Sequence, residues 1–174
     1  MLFTTHTITG AAIGVAAGNP FWGFTFGFLS HFVLDAIPHF DQGSFYLERK
    51  INGPAWLGAE LNEKSKKFKV KRDWAMLFID MAIAVIISAG MVAYQPLYIW
   101  LIYGIGATGG LLPDIFDVSP FWKEKFRAAK IGKTFHAVHS FFHWPLSSRY
   151  WYIGITTQIL IIAAGIYTIL KSLN

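Results

Sequence analysis

Four side chains able to bind a metal, His31, Asp35, His39 and Asp41, stand within eleven residues in the stretch SHFVLDAIPHFD, residues 30–41. His31 and Asp35 are four apart, so on a helix they share one face, a single turn from each other. Pro38 favours ending that helix, because the residue before a proline is pushed out of the α region. His39 and Asp41 then fall on the turn just beyond. A second group lies far along the chain, where His136, His139 and His143 at i, i+3 and i+7 make one continuous helical face. Asp114 and Asp117 follow Pro113 in GATGGLLPDIFD, and His6 stands near the start.

Imidazole and carboxylate donors without thiolates suit a divalent metal, zinc first, with manganese, iron or magnesium as alternatives. Each ligating imidazole needs an acceptor on its other ring nitrogen to fix its tautomer. Asp35, Asp114 and Asp117 therefore serve either as ligands or as those orienting partners. An ion held there would lower the pKa of a bound water and polarise a phosphoryl or carbonyl oxygen, which is hydrolase chemistry. The chain has no cysteine, which excludes disulfides, thiolate nucleophiles and Cys-type zinc sites.

The elements that must position these residues are apolar. Of 174 residues, 54% are hydrophobic, 17% aromatic and 14% charged, where soluble domains carry roughly 25% charge. That is a membrane-class composition in a single domain, residues 1–174. The net charge of +5 concentrates in residues 48–73 and 123–133. Basic loops between apolar spans read as membrane topology, so membrane lipid is the expected partner and nucleic acid is not. No Lys or Arg precedes the first apolar run, which makes it a poor signal peptide.

Helices are expected over 6–17, capped by Thr4 or Thr5, and over 21–36, parted by the Asn19-Pro20 turn. Each is shorter than the about 20 residues of a full span. Together they form a tight hairpin packed through Gly10, Gly14, Gly18, Gly23 and Gly27, small residues that let helices approach in lipid. Residues 74–94, with Asp80 as their only charge, 97–112 and 151–170 are three further spans. Polar loops cover about 42–73 and 118–148, the second of them amphipathic. The expectation is an all-α polytopic membrane protein with about five membrane-embedded helices, including the short N-terminal hairpin.

Placing both basic loops in the cytoplasm also puts the N-terminus there and the C-terminus outside. His6, His31, Asp35, His39, Asp80, Asp114, Asp117 and the three later histidines then share one side. Hydropathy does not require that arrangement. It points to one convergent polar site at the cytoplasmic interface.

The stretches THTITGAAIG, SHFVLD, GGLLPDIFD and AVHS resemble motifs of a family of small bacterial inner-membrane proteins described as membrane-bound metal-dependent hydrolases. The family patterns are of the type T-H, G-x-x-P-D-x-D, H-R-G-x-T-H-S and S-H-x-x-x-D. In this chain the S-H element precedes the P-D element, and HAVHS stands for the longer histidine pattern. The resemblance implies metal-binding roles for His6, His31, Asp35, Asp114, Asp117 and His139.

Plainer readings stand beside each element. His31 and Asp35 could be a hydrogen-bonded pair within the hairpin, and His39 and Asp41 ordinary residues of an exit turn. Asp114 and Asp117 suit a turn, and the three histidines, with Phe135, Phe141, Phe142 and Trp144, suit an interfacial helix. Against these, ionisable groups near a bilayer are costly and mark function by default. Four functions compete. The first is a metal-dependent hydrolase of a phosphoester in a lipid or amphiphile, with Lys130, Lys133 or Arg149 attracting the anionic headgroup. The second is a metal or proton transporter, disfavoured because the polar residues gather at one face rather than at the midplane. The third is a structural protein whose metal staples short helices. The fourth, nucleic-acid binding, rests only on the basic loops.

Overall fold

The computed structural model describes residues 1–40, 70–119, 121–146 and 148–173. Its helices are α1 (Phe3–Ala17), α2 (Pro20–Asp35), α3 (Val70–Val92), α4 (Leu97–Asp117), α5 (Lys123–Ala128), α6 (Lys130–Phe142) and α7 (Trp151–Leu173). Asp41 and most of the polar loop expected at 42–73 lie outside the described residues. Among the described residues, three helices contain segments long and apolar enough to cross a membrane: Ala75–Val92, Leu97–Asp117 and Trp151–Leu173. With 15 and 16 residues, α1 and α2 fall short of that length. Outward apolar side chains such as Phe21, Val33 and Ile86 are well exposed, as lipid-facing residues would be.

The centre of the bundle is α1, α2 and α4, brought together by glycine. A Cβ on Gly110 would lie 2.5 Å from the His6 carbonyl, and one on Gly27 would lie 2.6 Å from the Gly106 carbonyl. Backbone meets backbone here, so no larger side chain fits. The glycines expected to join α1 to α2 are thus shared with α4, because Gly10 and Gly14 face Gly106 and Ile102. Gly18 packs nothing. It takes φ 59° as the left-handed cap of α1, and Asn19 then accepts from the Phe21 and Trp22 amides to start α2.

Two boundaries differ from the sequence expectation. The first helix begins at Phe3 and its first turn is not capped by Thr4 or Thr5. Its donors are instead satisfied from α3, where Asp80 accepts from Phe3 N at 2.7 Å, Thr4 N at 3.2 Å and the Thr4 hydroxyl at 2.6 Å. A carboxylate suits the positive end of a helix. The fourth helix does not stop at 112 but runs through Pro113 to Asp117, with α1 and α2 packed along it. Pro113 removes one ladder donor without ending the helix, which keeps Asp114 and Asp117 on helical spacing.

The two ends of this bundle differ. At one end Ile8, Ala11, Ala12 and Val15 of α1 pack with Val92, Ile102, Tyr103, Ala107 and Ile169 into an apolar core. The other end gathers the start of α1 and the ends of α2 and α4 beneath α6. Phe32 of α2 stacks edge-on with Phe135 and Phe142 of α6 and fixes that cover. The chain after α2 is also tied to the chain after α6. Trp144 N donates to the Asp35 carbonyl at 2.8 Å, His39 N to the Trp144 carbonyl at 3.2 Å, and Leu146 N to the His39 carbonyl at 2.7 Å. This short parallel bridge joins the two histidine-bearing segments.

Candidate metal centre

His31 and Asp35 lie on the inner face of α2, one turn apart, and both are fully buried. Asp114 reaches them from the last turn of α4, and His139 from the last turn of α6. One donor atom from each of these four residues falls in a single compact cluster that could hold a metal ion. His31 Nε2 lies 3.2 Å from Asp35 Oδ2, 3.6 Å from Asp114 Oδ1 and 3.1 Å from His139 Nε2. His139 Nε2 lies 3.0 Å from Asp35 Oδ2 and 3.6 Å from Asp114 Oδ1. A tetrahedral ion with N and O ligands at 2.0–2.1 Å has ligand–ligand edges of about 3.3–3.4 Å, so these separations bracket that of a tetrahedral site.

The tautomers fit as well. His31 Nδ1 faces the Gly110 carbonyl at 2.8 Å, and His139 Nδ1 faces Asp117 Oδ2 at 2.8 Å. Both partners only accept, so both Nδ1 atoms carry the proton. In neutral rings the two Nε2 atoms then present lone pairs to each other and to two carboxylates. Four facing acceptors require a cation among them, either a metal or a proton. Without a metal the proton resides on His139. Burial opposes it, but hydrogen bonds to Asp117 and Asp35 and the charge of Asp114 overcome burial and raise the His139 pKa to about 9.

A second cluster that could hold an ion shares one member with the first, namely Asp35 with His39 and His143. His39 Nδ1 donates to the Ile37 carbonyl at 2.8 Å, leaving Nε2 toward Asp35 Oδ1 at 4.0 Å. Burial, followed by the charges of the amino terminus and His143, holds the His39 pKa well below the ordinary histidine value. His143, just past the end of α6, places Nε2 3.9 Å from Asp35 Oδ2. His6 lies fully buried against His31, rings stacked at 3.9 Å, with Nε2 3.3 Å from Asp35 Oδ1 and 3.9 Å from Asp114 Oδ2. The Met1 amino group donates to Asp35 Oδ1 at 2.9 Å.

Asp117 and His136, also expected as ligands, stand one step behind these clusters. Asp117 Oδ2 accepts from His136 at 2.9 Å as well as from His139, while Arg127 binds Asp117 Oδ1 at 2.8 Å and its carbonyl at 2.7 Å. With its oxygens taken by donors, Asp117 is placed to orient His139 in the manner of a carboxylate–histidine–metal relay. Three residues outside the expected ligand set contribute, of which the sequence places only Asp80 on the polar side. Arg127 pins Asp117, Asp80 caps α1, and Gln158 of α7 accepts from Leu2 N at 2.8 Å while donating to the Phe40 carbonyl at 2.7 Å. Gln158 had a signal, since it is a lone amide inside an apolar span, and such residues inside a membrane are rarely idle. Compared with family models, curated proteins and solved structures, the chain finds no match, so the functional reading rests on this geometry.

Proposed function

We propose that the protein is a membrane-embedded, metal-dependent hydrolase acting on a phosphoester of a lipid or other anionic amphiphile. In this reading five segments sit in the membrane, with α1 and α2 as a short embedded hairpin, and the centre lies at the cytoplasmic face. The observation that carries the reading is the convergence of four donor atoms from α2, α4 and α6 at near-tetrahedral spacing, with tautomers that leave lone pairs inward. Zinc is the favoured ion, since two imidazoles and two carboxylates at that spacing would suit tetrahedral coordination. Because four protein ligands close that shell, turnover would require a carboxylate to yield its place or the shell to expand to admit water.

A bound ion supplies Lewis acidity, making water a nucleophile near neutral pH and polarising the phosphoryl oxygen. Hydrolysis there would add the water oxygen to phosphorus and break the P–O bond to the alcohol, which would leave carrying a proton from that water. The chain supplies the rest. Asp117 holds His139 in register, and exposed Lys130 and Lys133 on α6 attract the anionic headgroup. An apolar groove of about 610 Å³ runs between α2 and α6, lined by Phe28, Phe32, Phe135, Val138 and Phe142 among others. Phe32 and Phe135 also flank the His139 ring, so an acyl chain in the groove would bring its headgroup toward the centre.

A second reading, a purely structural ion, is favoured by the complete burial of His31 and Asp35. The test is phosphate release from phosphomonoester and phosphodiester lipids in mixed micelles, for protein stripped with chelator and reloaded with zinc. Metal-dependent turnover that Asp114→Asn abolishes supports the hydrolase. Stoichiometric metal without turnover on either lipid class leaves the structural staple.

A further inference from the structure

Asp35 is the only residue common to both clusters, and its two oxygens face different histidines. Oδ2 lies 3.0 Å from His139, 3.2 Å from His31 and 3.9 Å from His143, whereas Oδ1 lies 3.3 Å from His6 and 4.0 Å from His39. Oδ1 also accepts from the Met1 amino group at 2.9 Å, a contact that a second ion would displace. A carboxylate has lone pairs enough on each oxygen to serve two cations at once. His6 gives an independent sign of a missing ligand. It is fully buried, yet Nδ1 has no hydrogen-bond partner among the described residues, and Nε2 meets Asp35 Oδ1 at 3.3 Å only out of hydrogen-bond alignment. A buried imidazole in that state costs free energy unless something binds it.

We propose that the site is dinuclear, with Asp35 bridging an ion held by His31, Asp114 and His139 to a second divalent ion held by His39 and His143 and approached by His6. This rests on the first cluster holding an ion, and it deepens that reading. Two adjacent ions suit a phosphoester in particular, because one stabilises the attacking oxygen and the other the leaving oxygen. The second ion also explains why the short bridge after α2 and α6 sets His39 beside His143, ring centroids 4.8 Å apart.

The experiment uses the full chain in detergent, stripped and reloaded with zinc for elemental analysis and with manganese for electron paramagnetic resonance. His143, partly exposed, is the position to change with least effect on packing. Wild type is expected to hold two ions per chain and to give an exchange-coupled manganese spectrum. His143→Ala, eluting as a single species like wild type, is expected to hold one ion and give the uncoupled six-line signal. One ion in wild type, or two ions without coupling, would overturn the bridge while leaving the mononuclear reading intact. No ion in wild type would overturn both. Should His143→Ala fail to fold, the wild-type stoichiometry and coupling still decide the matter.

Discussion

The two ends of the α1–α2–α4 bundle are built on the same glycine contacts yet finish in opposite ways. At the apolar end, Ile8, Val15, Ile102 and Ile169 fill the space between helices and ask for nothing further. At the polar end, the same close approach brings His6, His31, Asp35 and Asp114 within a few ångströms, and His139 closes over them. The difference teaches that glycine packing here does two jobs. It stabilises one end outright, and at the other it compresses acceptors into a cluster that only a cation satisfies.

Widening the polar end should have the largest effect. A Cβ on Gly110 would lie 2.5 Å from the His6 carbonyl, whereas one on Gly104 of the same helix would meet nothing within 4 Å. Gly110→Val is therefore expected to lose both metal and a monodisperse elution profile. Gly104→Ala is expected to keep both and to gain up to about 0.5–1 kcal/mol of stability. Equal tolerance of the two substitutions would contradict the close approach of α1 and α4.

Asp117→Asn probes the polar end more gently. It removes the carboxylate that orients His139 while leaving the cluster's own donors in place. Outer-shell partners of this kind are worth roughly 10–100-fold in metal affinity, and that loss is expected by competition with a chelating dye. An unchanged affinity would show that Asp117 serves only Arg127 and His136.

Proton competition sharpens the comparison further, because the apolar core holds no histidine or carboxylate. With its pKa raised to about 9, His139 in the metal-free protein is protonated near neutral pH and must release that proton when an ion binds. Metal affinity is expected to rise about tenfold per pH unit from neutral pH to about 9, then to level off. Calorimetry in buffers of different ionisation enthalpy would read the released proton, and a pH-independent affinity would refute it. The sign reverses for the stability of the metal-free protein. A raised folded-state pKa stabilises fully below the unfolded value, about 6.5, and that contribution is lost as pH rises through about 9.

The smallest effect is expected at the first turn of α1. Asp80→Ala leaves the Phe3 and Thr4 amides without their acceptor, a loss of about 1 kcal/mol for a helix cap. Thermal unfolding should shift down while metal content at low temperature stays at the wild-type level. A loss of metal would mean that Asp80 does more than hold the helix.

Much of the polar end is legible in the sequence, for reasons particular to each residue. The i, i+4 spacing of His31 and Asp35 survives because α2 is regular to its last turn. The sidedness of the histidines survives because α1, α2 and α4 are joined by short turns or follow apolar spans of legible length. The role of each histidine on α6 is not legible. His136, His139 and His143 share a stripe, but the packing of Phe135 and Phe142 on Phe32 sets the rotation that points His139 inward. His136 is left to reach Asp117, and His143 falls beyond the helix end. Nor can spacing tell a ligand from an orienting partner, so Asp114 and Asp117 look alike until Arg127 is seen on one of them. Asp80 and Gln158 act across the bundle on the start of α1, at sequence separations no local pattern encodes.

The most direct test of the central claim is the metal content of detergent-purified protein, by elemental mass spectrometry, for wild type, His31→Ala and His139→Ala. These two residues come from α2 and α6, 108 positions apart in the chain, and meet only if the half-sites converge. The account expects a stoichiometric divalent ion, zinc foremost, in wild type and its loss from the first cluster in both variants. Wild type free of metal after reconstitution, or both variants retaining the full wild-type content, would contradict it.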